Sequence, residues 1–130
     1  MNKTTTEHIH ISIYILLSIL LRNKSLRSIG LKYKLSYQSI LFLISCYVYN
    51  RYISDKFTLN KISRFTCYWT TKQISKHINK LIGLSFIIPL GGKVYQNYQV
   101  SNKCNDMMNE IEDSYNSTMY NFCSLHSIDL

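Results

Sequence analysis

Thr70, Thr71, Lys72, Gln73, Ser75, Lys76, Asn79 and Lys80 crowd ammonium groups, carboxamides and hydroxyls into residues 70–80. Between them Ile74, Ile78, Leu81 and Ile82 recur at i, i+4, i+7 and i+8, so the polar set occupies the outer face of one amphipathic helix. Lysines neutralise phosphates, and carboxamides can pair with the edge of adenine. No acid lies between Asp55 and Asp106, so nothing on this face repels a polyanion. The same residues also read as the solvated face of an ordinary lysine-rich helix. Lys93 adds an isolated cation after Gly91-Gly92.

Other reactive side chains form no convincing catalytic set. His8-Ile9-His10 matches the His-hydrophobic-His metal pair of nicking enzymes, but that chemistry needs a central strand, and this pair opens a strongly helical segment. His77 has no Cys or carboxylate in register, which leaves it a half-buried or DNA-proximal side chain. Cys46, Cys67, Cys104 and Cys123 contain no C-x-x-C pair, so zinc-ribbon and thioredoxin-like chemistry are excluded and reduced, buried or incidental thiols are expected. Seven carboxylates, five of them after residue 105, make a paired-carboxylate site a poor reading. No catalytic residue, metal ligand or cofactor is assigned.

The elements that must carry the polar face follow from the whole chain. Its 130 residues allow one domain, and 46% hydrophobic content supplies a core. The net charge of +8 is segregated: residues 8–105 hold 14 bases and one acid, whereas residues 106–130 hold five acids and no base. A body this basic is suited to phosphate or an anionic surface. The absence of alanine, together with 17 Ile, 16 Ser, 11 Asn and 11 Tyr, follows AT-rich codon usage, which weakens any reading of tyrosine as a base-stacking device.

Residues 9–21 are apolar but too short to span a bilayer and lack a signal-peptide cleavage site. Thr4 and Glu7 form a capping-box start, and Ile9, Ile13, Leu16 and Leu20 give a core or dimer-forming helix. A basic link over 22–34 leads to Ser36, which caps a largely apolar central helix ending near Ile53. A short helix from Thr58 turns Leu59, Ile62 and Phe65 inward and Lys61 and Arg64 outward, before a turn at residues 66–69. Thr70 and Gln73 make a capping box for the polar-faced helix, which Gly83 and Leu84 end as a C′ glycine and its apolar partner. Residues 86–88 and 94–100 then read as a β-hairpin around Gly91-Gly92. Ser101 caps a last helix whose Cys104, Met108, Ile111, Tyr115, Thr118, Phe122 and Leu125 alternate at spacings of four and three, a seam that asks for a helical partner or the first helix of the same chain.

The order is that of an α+β, mostly α, winged helix-turn-helix, and the chain resembles the MarR family of bacterial transcriptional regulators over residues 30–115. Ile29-Gly30-Leu31 to Ser36, Thr58-Leu59 with Ile62-Ser63, Thr70 through Leu81-Ile82-Gly83-Leu84, and Tyr98-Gln99-Val100-Ser101 carry the likeness. One departure is the wing tip, where the family's acid-x-Arg motif is replaced by Gly91-Gly92-Lys93. The resemblance implies a homodimer interlocked by its first and last helices. The expectation is a single domain, 1–130, with a core at about 36–101 and N- and C-terminal dimerisation helices at 5–29 and 102–125.

Such a chain is expected to be a cytoplasmic, non-enzymatic, sequence-specific regulator. Gln73 would read a base, Lys72, Lys76 and Lys80 would hold phosphates, and Lys93 would reach the backbone of double-stranded DNA. No residue singles out a small-molecule effector. The alternatives are an accessory protein of replication or of a mobile element using the same fold, and a structural adaptor whose basic face meets a membrane or a protein.

Overall fold

The computed structural model describes the backbone of residues 24–66 and 68–125, and side-chain surroundings over 27–66 and 68–113. The expected helix over residues 9–21, its Thr4–Glu7 capping box and the His8-Ile9-His10 pair lie outside the described residues. α1 spans Lys24–Tyr33, α2 Tyr37–Tyr52, α3 Leu59–Thr66 and α4 Thr71–Gly83. Strands β1 (Ile87–Gly91) and β2 (Asn97–Val100) form the hairpin, and α5 runs over Asn102–Leu125.

The basic link expected at 22–34 is therefore a helix over most of its length. Its cations dilute a narrow apolar stripe, which is real nonetheless: Ile29 is buried, and Tyr33 packs against the core. The helix ends in a Schellman turn, with the Leu35 amide donating to the Gly30 carbonyl at 2.9 Å and Lys34 in the left-handed region at φ 59°. Ser36 then caps α2 by accepting from the Ser39 amide at 3.2 Å.

α2 is the hub, and its lack of a polar stripe follows from being covered on most sides. Ile40, Phe42, Leu43, Ile44, Cys46 and Tyr49 are buried along it. At its C-terminal end Asn50 donates to the Ser54 carbonyl at 3.0 Å and accepts from the Val100 amide at 3.0 Å, which fastens the hub to β2.

The hairpin is antiparallel, with Ile87 opposite Val100 and Pro89 opposite Tyr98, and a bulge between Pro89 and Gly91. Phe57 adds a third, one-residue strand: its amide donates to the Tyr98 carbonyl at 2.9 Å, and Tyr98 returns the bond at 2.8 Å. That long-range bridge has no counterpart in the local pattern. The second strand starts at Asn97 rather than Val94. Val94 and Tyr95, 81% and 63% exposed, belong to the tip instead. Gly91 sits at φ 78°, and a Cβ on Gly92 would stand 2.0 Å from the Tyr95 carbonyl oxygen, so this tip admits no side chain there.

Part of the last helix is accounted for within the chain. Cys104, Met107, Met108 and Ile111 are buried, and α5 packs on α1 and α2. Lys32 pairs with Glu110 at 2.6 Å and Tyr33 donates to the same carboxylate at 2.9 Å, which pulls the Glu110 carboxyl below its usual range. The first three seam positions are thus covered within the chain, by α1 and α2. The side chains of Tyr115, Thr118, Phe122 and Leu125 lie outside those described. Among the described residues, no helix is long and apolar enough to cross a membrane.

Candidate nucleic-acid interface

The polar-faced helix begins with the capping box expected of it. The Thr70 hydroxyl accepts from the Gln73 amide at 3.2 Å, and the Gln73 side-chain oxygen accepts from the Thr70 amide at 2.9 Å. Both residues are exposed, yet Gln73 has spent one acceptor position on its own helix, leaving its NH2 group as the outward-facing function. Ile74, Ile78 and Leu81 are buried beneath, so the helix can turn only one way.

Its outward stripe is then Lys72, Lys76 and Asn79, which fall within about 60° of one another on the helical wheel and are all exposed. Thr71 is exposed and Ser75 half-buried at one margin. Lys80 is at the other, where its ammonium lies 3.4 Å from the Ser39 hydroxyl. That places Lys80 at the α2–α4 seam rather than in the middle of the face. Lys93 stands apart on the hairpin tip, exposed like Val94 and Tyr95 beside it.

The end of α4 differs from the expected glycine cap. Gly83 is still helical, and Ser85 takes the left-handed conformation at φ 67°. Phe86 donates to the Leu81 carbonyl at 2.9 Å and Ser85 to Ile82 at 3.0 Å, so the Schellman turn falls two residues later than the glycine suggests. The turn delivers Phe86 to the core, where it is fully buried, and so starts the wing at a fixed place relative to α4. Ser101 locks the exit by donating to the Ser85 carbonyl at 2.6 Å while starting α5.

Between α3 and α4 the turn is held by Trp69, whose indole donates to Gln38 at 3.1 Å. Trp69 meets Phe42 and His77 edge to face, and His77 stacks on Phe42 at 5.3 Å. His77 is thus a half-buried wedge behind the polar face. Burial first, and the Lys80 ammonium second, hold its imidazole below the usual 6.5. The unfolded chain then takes up this proton at a higher pH than the folded one. Stability from His77 is complete above about pH 6.5 and is lost as pH falls through the folded value. Thermal melts are expected to show a Tm that falls as pH drops below about 6.5, and a smaller fall in His77→Phe. Equal pH dependence in both proteins would assign the effect to another group.

Cys46 and Cys104 are free and buried, and burial raises both thiols, Cys104 to about 12, which makes them inert at neutral pH. Among the described residues no cluster of His, Cys, Asp or Glu could hold a metal ion.

A second concave feature borders the wing. Lys61 and Arg64 of α3 and Lys93 of the tip line a cleft of about 480 Å3 together with Asn60, Tyr95 and Asn97. Neither Lys61 nor Arg64 stood among the expected contacts, although their outward placement was readable from the helix period.

Helix, turn, polar-faced helix and a two-stranded wing stacked on a hub helix define a MarR-like winged-helix fold. The structure is similar to that of the multiple antibiotic-resistance repressor MarR from Listeria monocytogenes 4b F2365, with a TM-score of 0.58 and 13% identity over 94% of this chain and 82% of that one. No family model matches the sequence, and no curated protein matches it.

Proposed function

We propose that the protein is a sequence-specific transcriptional regulator that binds double-stranded DNA without catalysis, acting as a cytoplasmic homodimer. The observation that carries this reading is the acid-free α4 face, set beside a cationic wing on a fold that a MarR repressor shares. In this arrangement α4 enters the major groove and the wing reaches the adjoining backbone. Lys72 and Lys76 hold phosphates, with Thr71 and Ser75 supporting at the margin and Lys80 acting from the seam. Thr70 serves chiefly as the cap.

Base reading divides between the two carboxamides. Gln73, with its oxygen engaged by the Thr70 amide, offers donors to a base acceptor. Asn79 keeps both ends of its amide for the bidentate pattern that adenine presents. Asn79→Ala is expected to cost about 1–3 kcal/mol on the preferred site and to leave random duplex nearly unaffected. Competition binding against a selected and a scrambled duplex checks this, and equal losses on both would remove Asn79 from base reading.

Dimerisation draws on the distal half of α5, where the spacing of Tyr115, Thr118, Phe122 and Leu125 continues the seam begun by Cys104, Met108 and Ile111. Residues 9–21 supply the second apolar surface. Two recognition helices would then address half-sites about 34–36 Å apart. Ile111 is unsuitable as a probe of this, because it is fully buried within its own chain. Phe122→Lys is expected to give a folded monomer in sedimentation at micromolar concentration, with site-specific binding lost. A dimer that persists in this variant would move the interface elsewhere.

A further inference from the structure

We propose that the cleft between α3 and the wing seats one phosphodiester of the DNA backbone, held by Lys61 and Arg64 on one wall and Lys93 on the other. This rests on the DNA-binding reading above and adds two residues and a second point of grip to it. The three cations come from two elements separated by the whole of α4, and among the described residues no carboxylate lines the cleft. In a chain whose basic region contains a single acid, a cleft of about 480 Å3 with three cations in its lining and an open side suits an anion.

The wing wall is built rather than loose. Asn97 donates to the Gly91 and Tyr95 carbonyls, each at 3.2 Å, and Gly92 closes against the Tyr95 carbonyl with no room for a side chain. The opposite wall is the exposed side of α3, whose start is fixed by Thr58 accepting from the Lys61 amide at 3.2 Å. α4 packs against both α3 and β1, so a backbone passing the recognition helix has this trough beside it. Its open side suits a linear polyanion running through it better than a small ester, which would need enclosure.

The test measures duplex affinity against salt for wild type, Lys61→Gln/Arg64→Gln, Lys61→Gln alone and Lys56→Gln, a nearby exposed cation outside the cleft. Loss of one phosphate contact from each protomer of the dimer should reduce the slope of log affinity against log salt by about 1.8 in the double variant. Lys61→Gln alone should move it in the same direction, and Lys56→Gln should not move it. An unchanged slope in the double variant, or an equal reduction in Lys56→Gln, overturns the seat while leaving DNA binding intact. Saturable binding of inorganic phosphate that the double variant abolishes, with its duplex slope still at the wild-type value, overturns it in favour of a free anion. Absence of salt-dependent duplex binding by wild type would instead refute the DNA-binding reading, and the seat with it.

Discussion

Phe57→Ala is expected to lower the free energy of unfolding by about 3–5 kcal/mol, the range for truncating a fully buried aromatic side chain. Phe57 is 0% exposed and meets Tyr49 edge to face at 6.2 Å and Tyr98 at 5.9 Å. Its backbone also pairs with Tyr98, so one residue joins the hub helix, the start of α3 and the wing. A domain of this size has about 5–15 kcal/mol in total, so a large share of its stability is at stake. Urea unfolding followed by far-UV circular dichroism measures the change, with Phe57→Leu as the milder comparison. A loss below about 1 kcal/mol in Phe57→Ala would show that the wing is not coupled to the core through this position.

The second large effect is on binding. Lys72→Gln/Lys76→Gln removes two of the cations at the centre of the α4 face, both exposed, so folding should be unaffected. If each neutralises one phosphate in each protomer of the dimer, the salt slope falls by about 3.6, which corresponds to about 4,000-fold weaker binding at ~0.1 M salt. Anisotropy titrations at several salt concentrations check both numbers. An affinity within about twofold of wild type would place the DNA contact on another face.

The start of α4 was legible because a capping box is a short-range device, and Thr70 and Gln73 form it as their spacing indicates. The central helix, the turn before α4 and the cap at Ser101 were legible for the same reason. The bridge from Phe57 to Tyr98 was not, because two strands distant in sequence leave no local periodicity at a one-residue contact. Nor were the left-handed positions, since Lys34 and Ser85 occupy them where glycine would be the natural signal. The wing's second strand was read three residues too early because Val94 and Tyr95 look like strand residues, whereas the close approach at Gly92 makes them the tip. A heptad-like spacing in the last helix cannot by itself distinguish the hub of its own domain from a partner, and its first half proves to face the hub.

Within the polar face, the sequence found the residues but not their division of labour. Gln73 looks like the best base reader until its side-chain oxygen is seen on the Thr70 amide. Lys80 looks equivalent to Lys72 until its ammonium is seen against Ser39. The first difference is implied by the capping box itself, whose glutamine oxygen must accept from the cap amide; the second depends on a contact between helices, which residue type and spacing do not encode.

Wild-type affinity for a labelled duplex between about 50 and 200 mM salt decides whether this winged helix grips duplex DNA through α4 and the wing. Three phosphate contacts from each protomer of a dimer predict a linear log–log plot with a slope of about −5. Affinity that changes by less than about twofold across that range, or binding confined to anionic lipid vesicles, would contradict the account.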